Sequence, residues 1–414
     1  MTTYDVYVAG ILVASGLSSP TYRVNGPNGT PISSQVSAVN AAGEGPKSSA
    51  VVATPTATPA GAGPRSAPST PAGVTVPGSI DATGATDVSA SLQAWVNAQA
   101  DGSTLIFPSG ATYKLGTFGI AIEARNNLTF WGYGATLHNY GGSAIRNSAF
   151  YTGWTTGNSS GIKILGFTIQ GSNPDGGTIN AYHVGQESAM GFLLWKNPVG
   201  WEIADNTITD QWGLGIYVGS ASGTAPWPQN LNFHHNAIAR TGLAALNVRN
   251  GIGLTFADNT LTDSGGGGID MEDVTIPTEP LHSVWFQRNV INRWMWSGGA
   301  TAHAISGDNL GDFNDIRVQS NVLLGGAQAG EASPSYSDGV ITFWGSNAKG
   351  SMIIDSNNGS AIAAGLPSNA WAMRFNNVAG LTITNNNFTG MPGTPELAHK
   401  VSCTSVIQTG NNPA

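Results

Sequence analysis

A group of charged residues between positions 249 and 308 has the composition of a carbohydrate-cleaving site. Asp270 and Glu272 stand two residues apart, while Arg249 and Asp308 occupy matching places in neighbouring repeats of one pattern. His303 begins the segment that carries Asp308. Carboxylates held close together raise one another's pKa, which lets one act as an acid while another stays ionised. We therefore expect Asp270, Glu272 and Asp308 to supply the acid, base or nucleophile, with His303 or Arg249 assisting.

Polar and aromatic residues near this group are candidates for holding a sugar. Tyr217 and Asn247 occupy the place of Asp270 in earlier repeats, and Trp195 and Trp344 lie nearby in the sequence, within or directly after segments of the same series. Aromatic rings offer flat apolar surfaces on which sugar rings can stack. Two other interpretations stay open: an ordinary solvated acidic surface, and a calcium site, because clustered carboxylates suit hard cations. No other cofactor or metal site is expected, since no cluster of Cys and His is visible.

These residues belong to a chain that repeats itself. Six segments alternate apolar and other residues around a central Asn, mostly at steps of 23 to 32 residues. Alternation with a period of two indicates strands, and a repeat of this length indicates a stacked array. A weaker early copy carries Phe167 at the Asn place, and a degenerate copy lies at 352–360. Asn tolerates a left-handed backbone and bonds to backbone at turns, so the Asn column is interpreted as a structural amide ladder. The predicted column is Asn206, Asn236, Asn259, Asn289, Asn321 and Asn387.

The repeat length suits one coil of a parallel β-helix, in which neighbouring coils stack to bury a continuous core. A second series of strands is predicted at 191–195, 215–219, 245–249, 268–272, 304–308, 339–343 and 372–376. Their inward residues are predicted to be Phe192, Ile216, Leu246, Ile269, Ile305, Val340 and Met373. Because side chains alternate across a sheet, the intervening residues form two outward columns. The first is Leu193, Tyr217, Asn247, Asp270, Ser306, Ile341 and Arg374, and the second is Trp195, Gly219, Arg249, Glu272, Asp308, Phe343 and Asn376.

The part of the chain before the repeats has a different pattern. Residues 1–54 contain short apolar segments separated by turn residues, which predicts strands. The stretches VSAVNAAGEGP and SSAVVATP resemble the last two strands of a fibronectin type III domain, and YDVYVAGILVASGLSSPTYRV resembles its middle strands. The first two strands of that fold have no counterpart, so we expect another copy or another protein to complete the module. Residues 55–78 are rich in Pro, Ala, Ser, Thr and Gly, which predicts a linker.

The start of the third region resembles the entry to right-handed parallel β-helix domains of the pectate-lyase-like superfamily. Thr86 or Asp87 can cap a helix that places Leu92 and Val96 on one face, and Gly102 ends it. The strand TLIFP and the turn SGATYKL follow. The resemblance covers 79–414 and implies an all-β right-handed solenoid with a helix closing its N-terminal end. It implies no particular activity, since that superfamily includes lyases, glycosidases, epimerases and binding proteins.

The composition excludes several classes of protein. Charged residues make up only 10% of the chain and Gly accounts for 56 of 414 residues, as suits a solenoid with tight turns. A net charge of −8 without a basic patch argues against nucleic-acid binding. Cys403 stands alone, so no intrachain disulfide can form, and no stretch is apolar and long enough to span a membrane. The first residues lack a basic leader and carry Asp5, so we do not expect a signal peptide.

A fibronectin-like module, a linker and a parallel β-helix together resemble a phage tail spike or minor tail protein. The resemblance implies that the N-terminal module binds other tail proteins and that the β-helix binds a host surface glycan. It also implies a homotrimer located in the virion and acting outside the cell. One expected function is a depolymerase, by hydrolysis or elimination, and the alternative is a non-enzymatic receptor-binding or structural tail protein. A secreted cellular polysaccharide lyase or glycosidase is a further alternative.

Overall fold

The chain forms two compact units in the computed structural model, Met1–Pro59 and Ala60–Ala414. The structure describes residues 3–17, 32–53, 62–141, 144–152, 158–178, 180–220, 226–272, 278–294, 303–307, 312–325, 339–345, 347–359, 371–389, 391 and 397–412. The second unit is a right-handed parallel β-helix, which confirms the predicted fold. No helix in the described part of the chain has the length and apolar character needed to cross a bilayer.

Three parallel sheets form the sides of the β-helix, and each coil contributes one strand to each sheet along most of its length. Sheet I consists of Ile120–Ala121, Phe150–Thr152, Phe192–Trp195, Ile216–Gly219, Leu246–Val248, Ile269–Met271, Ile305–Gly307, Gly339–Phe343, Trp371–Asn376 and Ala398–Val401. Sheet II consists of Val74–Thr75, Thr104–Ile106, Thr129–Trp131, Lys163–Leu165, Glu202–Ala204, Asn232–His234, Gly251–Ala257, Pro280–Gln287, Asp312–Gln319, Met352–Asp355, Leu381–Thr384 and Ile407–Thr409. Sheet III consists of Thr83–Asp87, Thr112–Leu115, Thr136–Asn139, Thr168–Gln170, Thr207–Thr209, Ala237–Thr241, Thr260–Ser264, Val290–Trp294 and Val322–Leu323.

The core lies inside the coils and repeats from one coil to the next. Phe233, Phe256 and Phe286 occupy the same inward place on successive strands of sheet II and are fully buried. Their rings stack nearly parallel, with centroids 4.6 and 5.2 Å apart. Neighbouring strands lie about 4.8 Å apart, so equivalent side chains fall into van der Waals contact. Burial of each such ring contributes roughly 2–3 kcal/mol to folding.

The predicted amide ladder is present between sheets II and III. The Oδ1 of Asn236 accepts the backbone N–H of Asn206 at 3.0 Å, and its Nδ2 donates to the Ile203 carbonyl at 2.9 Å. Phe167 holds the Asn place in the earlier coil, since its N–H donates to Asn206 at 2.9 Å. The ladder comprises Asn206, Asn236, Asn259, Asn289, Asn321, Asn357, Asn386 and Asn411.

Two details of the Asn column differ from the prediction. Asn386 carries the ladder in its coil, and Asn387 was the wrong choice within a run of three asparagines. Asn387 instead accepts the side-chain hydroxyl of Thr389 at 2.9 Å. The left-handed backbone also belongs to the residue before each ladder Asn, as at Asp205 and His235, whose φ values are 61° and 56°. The ladder Asn therefore stabilises the turn through the hydrogen bonds of its side chain.

Sheet I follows the predicted register except at its eighth strand. Phe192, Ile216, Leu246, Ile269, Ile305 and Met373 point inward as expected. In Gly339–Phe343, however, Ile341 and not Val340 pairs with Ile305. Ile341 and Phe343 are therefore core residues with no exposed surface, and Thr342 and Trp344 take the outward places. Val340 is also buried, so two adjacent apolar residues left the alternation ambiguous.

A short helix, Ser89–Asn97, closes the N-terminal end of the β-helix as predicted. Leu92 and Val96 are buried against the core. The helix N-cap is Val88 and makes no side-chain cap hydrogen bond, so the predicted cap at Thr86 or Asp87 was wrong. Asp87 accepts the N–H of Ser89 at 2.9 Å from the position before the cap. Thr86 donates to Asp81 instead. A 3₁₀ turn at Ile145–Asn147 is the other helical segment among the described residues.

Part of the predicted linker lies along the β-helix. Val74–Thr75 joins sheet II as its first strand, and the N–H of Gly63 donates to the Asp258 carbonyl at 2.8 Å. The guanidinium of Arg65 donates twice to the carboxylate of Asp205, at 2.8 Å in both contacts. The described residues from 62 to 76 therefore belong to the β-helical unit, and the exact domain boundaries stay predictions.

The first unit contains one antiparallel sheet. Its strands are Thr3–Val8, Ile11–Leu17, Ile32–Asn40, Gly43–Glu44 and Val51–Ala53. Ile32–Asn40 pairs with the first, fourth and fifth of these. The strand predicted at PTYRV lies outside the described residues. The likeness to a fibronectin type III domain stays a prediction.

Candidate functional site

The outward face of sheet I brings most of the predicted site residues together. Tyr217, Asn247, Asp270 and Ser306 occupy equivalent places on four successive strands, as the sequence predicted. The same register places Arg249 between Gly219 and Glu272 in the second column. Neighbouring strands lie about 4.8 Å apart, so side chains in one column touch across coils.

Asp270 is fixed between the coils on either side of it. Its Oδ2 accepts the Nδ2 of Asn247 at 3.1 Å, and its Oδ1 accepts the hydroxyl of Ser306 at 2.8 Å. Asn247 and Ser306 are themselves 7% exposed, while Asp270 is half-buried. Both of these donors are uncharged, and Asp270 keeps part of its surface open to solvent.

Glu272 is held by a tyrosine two coils away. The hydroxyl of Tyr217 donates to its Oε2 at 2.8 Å. The Tyr217 ring reaches that distance by lying across Gly219, where a Cβ would come within 2.9 Å of the ring. Burial, together with the charge and hydrogen bonding of Glu272, raises the pKa of Tyr217 above its ordinary value. The phenol therefore stays protonated and acts as a donor.

A buried ion pair lies beside this contact. Arg249 donates to both carboxylate oxygens of Glu279, at 3.2 and 3.4 Å, and Asn250 donates to Glu279 at 2.8 Å. The Glu279 side chain has no exposed surface. Burial alone would lower the pKa of Arg249, but the hydrogen bonds and charge of Glu279 outweigh burial and raise the pKa. Sequence reasoning missed Glu279, because it lies outside every repeated segment and only its apolar successors continue the pattern.

A small apolar cluster covers the first coils of this face. Tyr151, Leu193 and Tyr217 lie in one outward column and are buried beneath Met190 and Leu214. Tyr217 and Asn247 are therefore supports of the carboxylates rather than open surfaces for stacking, since each is only 7% exposed. Trp195 stays half-buried and stacks on Tyr217, with ring centroids 5.7 Å apart.

The remaining predicted site residues lie further along the chain. Trp344 is half-buried in the second outward column, two coils beyond Glu272. His303 is 1% exposed at the turn before Ile305–Gly307, where its carbonyl accepts the N–H of Gly268 at 3.2 Å. Its role in the site stays a prediction. Asp308 lies outside the described residues.

This arrangement can bind polar groups and is compatible with acid–base chemistry. Asp270 and Glu272 point outward from one strand, and same-face neighbours on a strand lie about 6.6 Å apart. Side chains that extend from backbone positions at that spacing can bring their carboxyl groups within the ~6.5–9.5 Å that inverting glycosidases use. The described residues contain no group of three or more His, Cys, Asp or Glu side chains arranged to hold a metal ion. Calcium binding at Asp270 and Glu272 stays a prediction.

The fold and this face define the chain as a parallel β-helix protein with a polar surface on one sheet. Its structure is similar to a family 28 exopolygalacturonase of Yersinia enterocolitica, at 14% identity over 97% of this chain and 93% of that one, with a TM-score of 0.46. It is similar to the surface protein and adhesin PfbA of Streptococcus pneumoniae, at 11% identity over 80% and 94% of the two chains, with a TM-score of 0.47. It is also similar to gene product 12 of bacteriophage phi29, at 13% identity over 78% and 50%, with a TM-score of 0.41.

Searches at the level of sequence give no relative. No protein-family model matches the chain, and no curated protein matches it. At identities of 11–14% the structural likeness does not extend to activity or substrate. The function of the chain therefore has to follow from its own residues.

Proposed function

We propose that the chain is a phage tail spike or minor tail protein whose sheet I binds a host surface polysaccharide. The observation that carries the proposal is a fixed polar row between two half-buried indoles. Asp270 is the half-buried member of the row, and Asn247 and Ser306 orient it from the neighbouring coils. Trp195 and Trp344 lie to either side of the row along the axis of the β-helix. Sugar recognition combines such flat apolar surfaces with a few fixed polar groups.

The rigidity of the row supports binding. Before any ligand arrives, Asp270 accepts a hydrogen bond from a neighbouring coil and Glu272 accepts one from a tyrosine two coils away. Side chains that are already ordered lose little conformational entropy on binding, whereas a mobile side chain loses about 0.5–1.5 kcal/mol. A polymer that lies along the axis of the β-helix contacts several coils at once, so several weak contacts add to its affinity.

The tail assignment rests on the domain order. A fibronectin-like module ahead of a β-helix suits a protein that attaches at one end and meets the cell surface along a rod. In this proposal the N-terminal module binds other tail proteins, the protein is a homotrimer, and it acts from the virion outside the cell. The proposal that sheet I binds a glycan does not depend on the assignment to a phage tail.

Cleavage of the bound polysaccharide is the second candidate function. The observation that favours it is the outward pair Asp270 and Glu272, whose backbone positions, two residues apart on one face of a strand, lie about 6.6 Å apart. One would protonate the leaving oxygen while the other activates water, with Arg249 and the Tyr217 hydroxyl close to Glu272.

The experiment is an incubation of the purified chain with surface polysaccharides from a panel of bacterial hosts. Calorimetry measures binding and size-exclusion chromatography measures fragment length. The test variant is Asp270→Asn with Glu272→Gln, and the matched control is Asp312→Asn, an exposed carboxylate on sheet II. We expect the double variant to lose at least about tenfold in affinity, since charged hydrogen bonds contribute ~1.5–3 kcal/mol each.

Fragments from the original chain and none from the double variant would establish a depolymerase. Binding without fragments would leave a receptor-binding protein. Equal binding by the original chain and the double variant would show that Asp270 and Glu272 of sheet I do not bind the polysaccharide. Absence of binding to every polysaccharide would overturn the proposed function.

A further inference from the structure

A short segment ahead of the β-helix, residues 62–65, is bound to the turns between sheets II and III and is called the arm below. The Nε and Nη2 of Arg65 donate to the two carboxylate oxygens of Asp205 at 2.8 Å each, and the backbone N–H of Arg65 donates to Asp205 at 3.1 Å. The hydroxyl of Tyr133 donates to the same carboxylate. The Asp205 side chain is only 2% exposed, so the arm and Tyr133 occupy it in place of solvent.

The arm crosses the coil that carries His235. Asp205, His235 and Asp258 hold equivalent places on three successive turns, each with a left-handed backbone, at φ values of 61°, 56° and 58°. The N–H of Gly63 donates to the Asp258 carbonyl at 2.8 Å, while Arg65 bonds to Asp205. The two contacts that hold the arm therefore lie on the coils to either side of His235.

His235 also belongs to a contact between two histidine rings. The Nδ1 of His234 lies 3.0 Å from the Nδ1 of His235, and the Nε2 of His234 lies 3.2 Å from a carboxylate oxygen of Glu202. A hydrogen bond between two ring nitrogens needs a proton on one and a lone pair on the other. Two charged rings would carry protons on both, so the contact permits at most one charge. The carboxylate of Glu202 favours that charge on His234, which leaves His235 neutral.

The charges around His235 oppose its protonation while the arm is bound. The groups that face it, or that pair with those groups, are Arg65, Tyr133, Lys163, Glu202, Asp205, His234, Asp258 and Arg288. Burial lowers the pKa of His235 most, and the charge of Arg65 is the next cause that lowers it. Asp258 and Asp205 act in the opposite direction, but each is already paired with an arginine. Because coupling between two binding events is reciprocal, protonation of His235 weakens binding of the arm.

We propose that the arm and the two histidines form an acid-sensitive latch, which holds residues 62–65 at neutral pH and releases them when both rings are charged. The second proton breaks the contact between the Nδ1 atoms and adds a cation beside Arg65. A lowered histidine pKa means that the stability from arm binding is present above the ordinary value of ~6.5 and is lost as the pH falls through the lowered value. Release frees the chain as far as the strand Val74–Thr75. The latch does not depend on polysaccharide binding.

Asp205 does not titrate in the pH range in which the latch opens. Burial alone would raise the pKa of Asp205, but hydrogen bonds from Arg65 and Tyr133 outweigh burial and lower the pKa below its ordinary value. Release of the arm above about pH 5 therefore reports on the histidines, since ordinary aspartate pKa values lie near 3.9.

Hydrogen exchange at the amides of Gly63 and Arg65, from about pH 7.5 to about pH 5, tests the latch. Each rate is divided by that of an unfolded peptide of the same sequence at the same pH, which gives a protection factor. His235→Asn removes the titrating ring, and Asn suits the left-handed backbone there, as Asn385 does in a later coil at φ 55°. His282→Asn is the matched control, since its ring contacts a carboxylate elsewhere on sheet II. Arg65→Gln removes the contact with Asp205, and thermal unfolding verifies that each variant is folded.

We expect protection of both amides in the original chain to fall about three- to tenfold over this range, since one charge added at a half-buried site changes an equilibrium by about that factor. His282→Asn should show the same fall. His235→Asn should stay protected throughout, and Arg65→Gln should lose protection at every pH. Constant protection in the original chain, an equal fall in His235→Asn, or protection retained in Arg65→Gln would each overturn the latch.

Discussion

The outward faces of sheets I and II are built by the same coils and use their charges differently. On sheet II, Glu202 contacts Lys163 at 2.8 Å and His234 at 3.2 Å, and Arg317 contacts Asp315 at 2.8 Å. Opposite charges there meet directly. On sheet I, Asp270 accepts hydrogen bonds from the neutral side chains of Asn247 and Ser306, and Glu272 accepts one from the hydroxyl of Tyr217.

This difference separates stabilising side chains from side chains available to a ligand. Charges that neutralise one another across coils have little left to offer a partner. Carboxylates that uncharged donors orient keep their charge, and a partner with complementary groups can match it. The repeat makes both faces rigid, and only the choice of outward residues distinguishes them.

Removing one amide from the ladder should have the largest effect and should affect both faces equally. Asn289→Ala deletes the acceptor of the Asn259 N–H and the donor to the Phe256 carbonyl, both buried. Each buried group left without a partner costs about 1–3 kcal/mol, so we expect the free energy of unfolding to fall by about 3–5 kcal/mol. Chemical denaturation measures it.

Asn232→Ala is the matched control for the ladder variant, because Asn232 is exposed on sheet II. We expect a change within about 0.5 kcal/mol there. Polysaccharide binding by folded Asn289→Ala should be unchanged. Equal destabilisation by the two substitutions would show that the ladder does not stabilise the rod.

Glu279→Gln should affect stability and binding together, because the buried Glu279 forms an ion pair with Arg249 on the outward face of sheet I. The substitution leaves Arg249, which is only 17% exposed, without its buried counter-charge. Breaking such a pair costs about 3 kcal/mol, measured as a loss in the free energy of unfolding. Arg249 would then turn toward Glu272 and weaken polysaccharide binding, measured by calorimetry at a temperature where the variant is folded. Loss of stability with unchanged affinity would confine Glu279 to a structural role.

The smallest effect is expected on sheet II, at acid pH. Hydrogen bonds from His234 and Lys163 outweigh burial and lower the pKa of Glu202 to about 2. A depressed carboxyl pKa gives stability that is present above the unfolded value of ~4.3 and is lost as the pH falls through about 2. Glu202→Gln should therefore flatten the loss of stability between pH 4.5 and 2, by no more than about 1 kcal/mol because the pair is partly exposed.

The denaturation midpoint of Glu202→Gln across this pH range measures the effect. Polysaccharide binding at neutral pH should be unchanged, since Glu202 lies on sheet II. A variant that kept the full acid dependence would show that Glu202 is not the responsible group, and a loss of affinity would place part of the ligand on sheet II.

Much of the fold was predictable because the length of the repeat and the alternation within each segment directly indicate stacked strands. The spacing of Asn206, Asn236, Asn259, Asn289 and Asn321 predicted both the strands and the ladder, and all five were confirmed. The errors arose where neighbouring residues satisfy the same pattern. Three consecutive asparagines concealed which one bonds across coils. Adjacent Val340 and Ile341 both suit a core, so only backbone pairing decides which one continues the column.

The candidate site was less accessible to sequence reasoning. Outward columns follow from alternation, so the nearness of Asp270 to Asn247 and of Glu272 to Arg249 could be foreseen. The side chains that cover an outward residue could not be predicted in this way. The cluster that buries Tyr217 includes residues from turns between strands, such as Met190 and Leu214, and turns do not follow the repeat. Glu279 is the clearest example, since a single buried carboxylate outside the repeat gives no periodic signal.

Hydroxyl-radical footprinting with and without the tightest-binding polysaccharide tests most directly whether sheet I is the binding face. Trp195 and Trp344 on sheet I and Trp285 on sheet II are all half-buried, so they report on the two faces under matched conditions. If sheet I is the binding face, the ligand should protect Trp195 and Trp344 from oxidation and leave the oxidation of Trp285 unchanged. Protection of Trp285, with Trp195 and Trp344 oxidised as in the free protein, would contradict it.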